Sequence, residues 1–161
     1  KTETVADTLR YVEESLRRRR DGSAYVYGIW QELDFCGVID LHAVDTPNGN
    51  AQIGYWLKPA ARGHGLMTGA AVAMVSIAFE ILGLERVEIR VAVGNDKSAA
   101  IPIRLGFQHE GTLRHAQLLD SGYADLNIYG LLAGEYRRSL GGLAEDSNEN
   151  SANEIEGGLE F

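Results

Sequence analysis

The chain has 161 residues, 45% of them hydrophobic and 24% charged, which suits one soluble domain long enough to bury a core. A formal charge of −8 argues against a nucleic-acid binder. Cys36 is the only cysteine, so an internal disulfide and a multi-cysteine metal site are both excluded; no metal is expected.

The charge is uneven. Residues 139–161 hold six acidic residues and no Lys or Arg, which leaves 15 basic against 17 acidic residues in the rest of the chain. The low pI therefore says little about a partner. A lone cysteine fits a reducing, cytoplasmic setting. The opening "KTETVADTLRYVEES" is polar, unlike the apolar core of a secretion leader. The most apolar stretch, Leu66 to Leu84, contains Glu80 and several small or hydroxyl residues, so it reads as a buried helix rather than a membrane span.

In chain order, Val5, Leu9, Val12 and Leu16 fall at helical spacing and Thr4 can cap them, which predicts an amphipathic helix over 4–20. Its end, "RRRRDGS", reads as a solvated helix terminus favoured by the helix dipole, or as a docking patch for an anion. Three runs rich in β-branched and aromatic residues follow, at 24–30, 35–44 and 51–57. The turn "TPNGN" lies between the last two. A long helix is expected over 66–82 and a strand over 86–93. A short helix follows over 96–106, in which Pro102 is tolerated only near the first turn. Two strands, 107–119 and 123–132, flank the turn "DSG". This order implies a single α+β domain around a mixed, mostly antiparallel sheet flanked by helices. Residues 1–138 form that domain, and the polar, Gly-rich, acidic segment 139–161 is expected to be a disordered tail.

The informative stretch is "YWLKPAARGHGLMTGAA", residues 55–71. Glycines at the mouth of a helix let a phosphate approach backbone N–H groups that have no intrahelical partner, where the dipole favours an anion. A flexible connection without a ligand is the alternative. A Walker loop is excluded because no lysine occurs between Lys58 and Lys97. A dinucleotide fingerprint fits worse, because "KPAA" separates strand from glycines and position 68 is threonine.

Three further segments stand in order behind "RGHGLMT": "NDKSAAIPIRLGF" (95–107), "EGTLR" (110–114) and "GYADLNIYGLL" (122–132). Together they resemble the GNAT superfamily of acetyl-coenzyme A-dependent N-acetyltransferases, and more narrowly its ribosomal-protein-alanine N-acetyltransferase branch. The resemblance runs from about Tyr25 to Arg138. It implies that the coenzyme A pyrophosphate lies on the loop formed by Arg62, Gly63, His64, Gly65, Leu66, Met67 and Thr68. It also implies that the strand carrying Tyr55, Trp56 and Leu57 holds the pantetheine arm, with a splay beside it exposing amides to the thioester oxygen. Asn95 would bind the arm and Ser98 would sit near the sulfur. From the residues alone, Asn95 could equally cap the helix that starts at Asp96, and Ser98 could be a plain first-turn hydroxyl.

The implied activity is acetyl transfer from acetyl-coenzyme A to a primary amine, with a protein N-terminal α-amine as acceptor. Small amines (polyamines, amino sugars, amino acids) are the alternative acceptors, and an inactive acyl-coenzyme A-binding module is the alternative function. An α-amine with pKa about 7.8 is roughly one third neutral at pH 7.5, whereas a lysine is neutral about one time in a thousand. An N-terminal acceptor thus asks less of a base. Two departures from the family stand out. Pro102 occupies the position of a tyrosine that many members of the superfamily use as acid; the ribosomal-protein branch generally lacks that tyrosine too, and the resemblance gives its role to Ser98. Gln117 occupies the position of a glutamate proposed as base in some relatives, which leaves Asp125 as the acidic residue to test, ahead of Glu110 and His115; a structural hydrogen bond is its other role. Cys36 reads as inert core. The family also carries a strand and helix ahead of the segment matching residues 4–20, and Lys1 starts too late for them. The apolar late strands suggest a homodimer, and neither a membrane nor a nucleic-acid partner is implied.

Overall fold

The structure, a computed structural model, describes residues 4–140; the segment read as a tail lies almost wholly outside them. Helix α1 (Val5–Arg20) opens on a capping box: the Asp7 N–H donates to Thr4 Oγ1 at 3.1 Å and the Thr4 N–H donates to Asp7 Oδ2 at 3.1 Å. Its apolar stripe forms as the spacing predicts but is not buried, with Leu9 58% and Leu16 54% exposed. The basic end is a solvated terminus in which Arg17 pairs with Glu14 at 2.6 Å and with Asp21 at 3.1 Å.

Strands β1 (Tyr25–Gln31), β2 (Asp34–Asp45) and β3 (Asn50–Leu57) form an antiparallel meander. Helix α2 (Leu66–Ser76) crosses to β4 (Arg86–Ala92), which lies parallel to β3. Helix α3 (Asp96–Arg104) leads to the hairpin β5 (Gln108–Leu119) and β6 (Gly122–Leu132), and α4 spans residues 133–140. The sheet order is β1-β2-β3-β4-β6-β5, with β3–β4 the one parallel pair, so the mixed, mostly antiparallel α+β architecture is as the residue pattern implies. The core joins α2 (Met67, Ala71, Met74, Val75) to β2, β3 and β4 (Ile39, Leu41, Ile53, Val87, Ile89), with Cys36 buried among them.

Three local expectations need correction. The 66–82 helix is not uniform: its last turn, Ile77–Ile81, widens to a π-helix before Gly83. Pro102 sits in the second turn of α3 rather than the first, and α3 ends at Arg104. Helix α4 was not foreseen; it is tied back by the Tyr136 hydroxyl, which bonds the Glu80 carboxylate at 2.5 Å.

Candidate active site

Beyond β3 the chain makes a 3-10 turn (Pro59–Ala61) and then turns over the bare end of α2. The Arg62 guanidinium donates to the Leu57 carbonyl at 3.3 and 3.2 Å, pinning the loop to the strand end. Gly63 (φ +84°) and Gly65 (φ +77°) are both left-handed, a backbone that β-branched residues adopt only under strain. A Cβ added at either would meet nothing within 4 Å, so no neighbour demands these glycines. The demand is the backbone itself and the open surface beside it. Gly65 is the N-cap of α2 and no side chain caps that helix, so the first-turn amides from Leu66 to Thr68 face outward without an intrahelical acceptor. Met67 is buried and can contribute only its amide; His64 stands exposed between the glycines. Helix termini of this kind are suited to an anion.

One cation here was not foreseen. Arg104, in the last turn of α3, donates to Thr68 Oγ1 at 3.0 Å and so brings a guanidinium to the first turn of α2. Its distance from Thr68 along the chain hides it from any local motif.

The second part of the site centres on Ser98. Asn95 does cap α3, its Oδ1 accepting from the Ser98 N–H at 3.3 Å. The helix-cap alternative is therefore realised, and the Asn95 side-chain N–H₂ is left to face outward. Pro102 has no N–H to donate to the carbonyl four residues earlier, which is that of Ser98. The freed carbonyl accepts instead from the Tyr55 hydroxyl at 3.1 Å, and Ser98 Oγ lies 3.3 Å from the same phenol oxygen. The proline thus leaves a carbonyl free to hold a tyrosine from β3. Burial holds the Tyr55 phenol above the ordinary tyrosine range, against a smaller opposing effect of its bond to Ser98, so it stays protonated at neutral pH.

The two parts meet at an opening in the sheet. β3 and β4 pair only from Asn50↔Arg86 to Ile53↔Ile89; beyond that β3 runs on through Gly54, Tyr55, Trp56 and Leu57 beside β2, and β4 runs on to Ala92 beside β6. The strand ends diverge, leaving one edge of β3 without a ladder partner. An extended amide-bearing chain fits such an edge.

The remaining acidic and imidazole candidates are occupied. Asp125 Oδ1 accepts from the His115 N–H at 2.8 Å, holding the β5 bulge in which His115 takes φ +51°. Its structural alternative is the bond observed. Glu110 is locked to Arg86, whose guanidinium holds the carboxyl below the usual range, and the His115 ring stacks on Tyr123 at 5.6 Å. Gln117 lies on exposed β5 opposite Ala124. A groove of about 360 Å³ between α2 and β1–β2 offers only the Tyr27 hydroxyl as a polar side chain.

Residues 1–108 match the Acetyltransferase (GNAT) domain family. The chain belongs to the GNAT acetyltransferases. Among GNAT relatives, YdaF of Bacillus subtilis is 38% identical over 133 residues, 81% of this chain and 73% of that protein. The ribosomal-protein-serine acetyltransferase of Escherichia coli is 32% identical over 123 residues, 76% of this chain and 69% of that one. The crystal structure of the microcin self-immunity acetyltransferase MccE, in complex with acetyl-CoA and AMP, superposes with a TM-score of 0.77 at 29% identity, over 81% of this chain and 72% of that chain. Both the GNAT assignment and its ribosomal-protein branch, implied by the four motifs, agree with these matches.

Proposed function

We propose that this GNAT chain moves the acetyl group of acetyl-CoA to a protein N-terminal α-amine. The observation that carries this reading is the pairing of an uncapped, glycine-flanked α2 terminus with a strand edge opened beside it. One suits a pyrophosphate and the other an amide-bearing pantetheine arm. Similarity to a ribosomal-protein-serine acetyltransferase supports the N-terminal acceptor. In this reading the amides of residues 62–68 and the Arg104 guanidinium take the phosphates. The edge of Tyr55, Trp56 and Leu57 and the Asn95 amide take the arm, and Ser98, backed by Tyr55, supplies a proton to the departing thiolate. Asp125 acts through the bulge it holds. A cytoplasmic setting is supported by the free, buried Cys36, and no helix among the described residues is long and apolar enough to cross a membrane.

Thiol release measured across an amine panel tests the reading. A peptide with a free N-terminal serine should release thiol, and the same peptide with a blocked N-terminus should not. Preferred turnover of spermidine, an amino sugar or a free amino acid would move the acceptor to small amines. Binding of acetyl-CoA with no turnover on any amine would make the chain a binding module.

We also propose a homodimer through the late hairpin, where Leu118 is 67% and Tyr123 66% exposed. Light scattering at tens of micromolar should give twice the chain mass; a monomer mass rejects the pairing.

A further inference from the structure

Direct cross-strand partners put their side chains on one face of a sheet, and successive residues alternate between faces. The register Val38↔Trp56, Asp40↔Gly54 and His42↔Gln52 therefore sets Trp56, Gly54, Asp40 and His42 on one face. Tyr55, which reaches Ser98 on α3, points to the other, where α2 and α3 pack. A ligand arm entering from the α2–α3 side leaves the opposite face of the opening for the acceptor. On that face stands one imidazole. His42 Nδ1 lies 2.5 Å from Asp40 Oδ1, with the His42 side chain 36% and the Asp40 side chain 24% exposed. An ionised carboxylate only accepts, so Nδ1 carries the hydrogen and, in the neutral ring, Nε2 holds the lone pair. The ring lies over the residue at which β3 leaves β4. A Cβ on Gly54 would come 3.1 Å from His42 Cε1 and 3.2 Å from Asp40 Oδ1, so glycine at this position makes room for the pair.

We propose that His42, oriented by Asp40, accepts the proton of the acceptor amine. This rests on the acetyl-transfer reading above. The amine nitrogen bonds to the acetyl carbonyl carbon, and the C–S bond breaks with its electron pair going to sulfur. The nitrogen's proton passes to His42 Nε2. The thiolate takes a proton through the Ser98 hydroxyl, which receives one from solvent in the same step, and the imidazolium releases its own to solvent. Other groups facing the pair are Gln52 of β3 and Tyr11 of α1, the latter raised by burial and by the Asp40 charge and lowered by Ser15 and Arg18.

The test is kcat/KM for a peptide with a free N-terminal serine, followed from about pH 5.5 to 9 in wild type, His42→Gln and Asp40→Asn. On a logarithmic scale the wild-type acid limb should approach a slope of about two, because amine and imidazole must both be deprotonated. In His42→Gln it should fall to about one, with turnover at neutral pH reduced at least tenfold and acetyl-CoA affinity by calorimetry unchanged. Asp40→Asn should leave acetyl-CoA affinity unchanged and lower turnover at neutral pH at least tenfold, since the carboxylate that accepts from Nδ1 and so fixes the ring's orientation and tautomer is gone. If His42→Gln does not fold, that loss decides. A folded His42→Gln enzyme with wild-type rate and slope overturns the assignment alone, as does a wild-type rate in folded Asp40→Asn. Acetyl-CoA binding without wild-type turnover removes the transferase reading and this assignment together.

Discussion

Replacing Gly63 and Gly65 together by valine is expected to weaken acetyl-CoA binding by well over tenfold, that is by more than about 1.4 kcal/mol, while the protein stays folded. Two effects act in the same direction. The left-handed backbone at both positions (φ +84° and +77°) is strained for a β-branched residue, and the new side chains would occupy the surface where the phosphates approach. Only the second is specific to the ligand, so the strain needs its own control. Gly83 supplies it: φ is +64°, an added Cβ also meets nothing within 4 Å, and it lies at the far end of the same helical run. At 1.5 Å per residue that is roughly 25 Å from the loop. Gly83→Val should lower the melting temperature as the loop variants do and leave calorimetric affinity intact. Equal affinity in the loop variants and wild type would remove the phosphate role from the loop.

Ser98→Ala should lower turnover at least tenfold with little change in acetyl-CoA affinity. The departing thiolate resembles that of a free thiol with pKa about 8.5, so its expulsion near neutral pH gains from an acid, and such help is typically worth about 10²–10⁴-fold. The structure sharpens the alternative. The helix cap is Asn95, which accepts from the Ser98 N–H; the hydroxyl's own partner is Tyr55. A merely structural hydroxyl would therefore cost one hydrogen bond, about 1 kcal/mol, and leave the rate alone. Melting temperature and turnover measured on the same sample separate these outcomes. A variant that melts earlier yet turns over normally takes Ser98 out of the chemistry.

What was legible in the residues was what is local or periodic. Thr4 ahead of the helical spacing of Val5, Leu9, Val12 and Leu16 announces the start of α1; alternating "RVEIRVAV" is β4; the glycines bracketing His64 mark the loop before α2. What stayed hidden depends on register and on contacts between distant segments. Pro102 reads locally as a misfit in a helix. Its consequence, a carbonyl offered to Tyr55 across 43 positions, exists only once β3 and α3 are packed together. Arg104 looks like an ordinary basic residue in a helix's last turn until α2 and α3 lie side by side. His42 and Asp40 are two apart on a strand, which shows that they share a face but not that Gly54 is beneath them. Asp125 carried the opposite lesson, since an acidic residue in the right motif spends an oxygen on a bulge.

The short parallel pairing of β3 with β4 bears on mechanics as well as chemistry. Among the described residues the strand pairing from Asn50↔Arg86 to Ile53↔Ile89, with the Gly49 carbonyl just before it accepting from Glu85 and Arg86, is the only backbone ladder that joins the β1-β2-β3 half of the sheet to the β4-β6-β5 half. Each half is closed by much longer antiparallel ladders, so this seam is where the sheet is most readily sheared. An arm bound along the open edge, as proposed above, would act as a seventh strand of foreign chemistry. It would stitch the halves together and add RT ln(1 + [L]/Kd) to the work of separating them. Cosubstrate would then be part of the sheet's tensile strength, and the protein without it the softer of the two mechanical states.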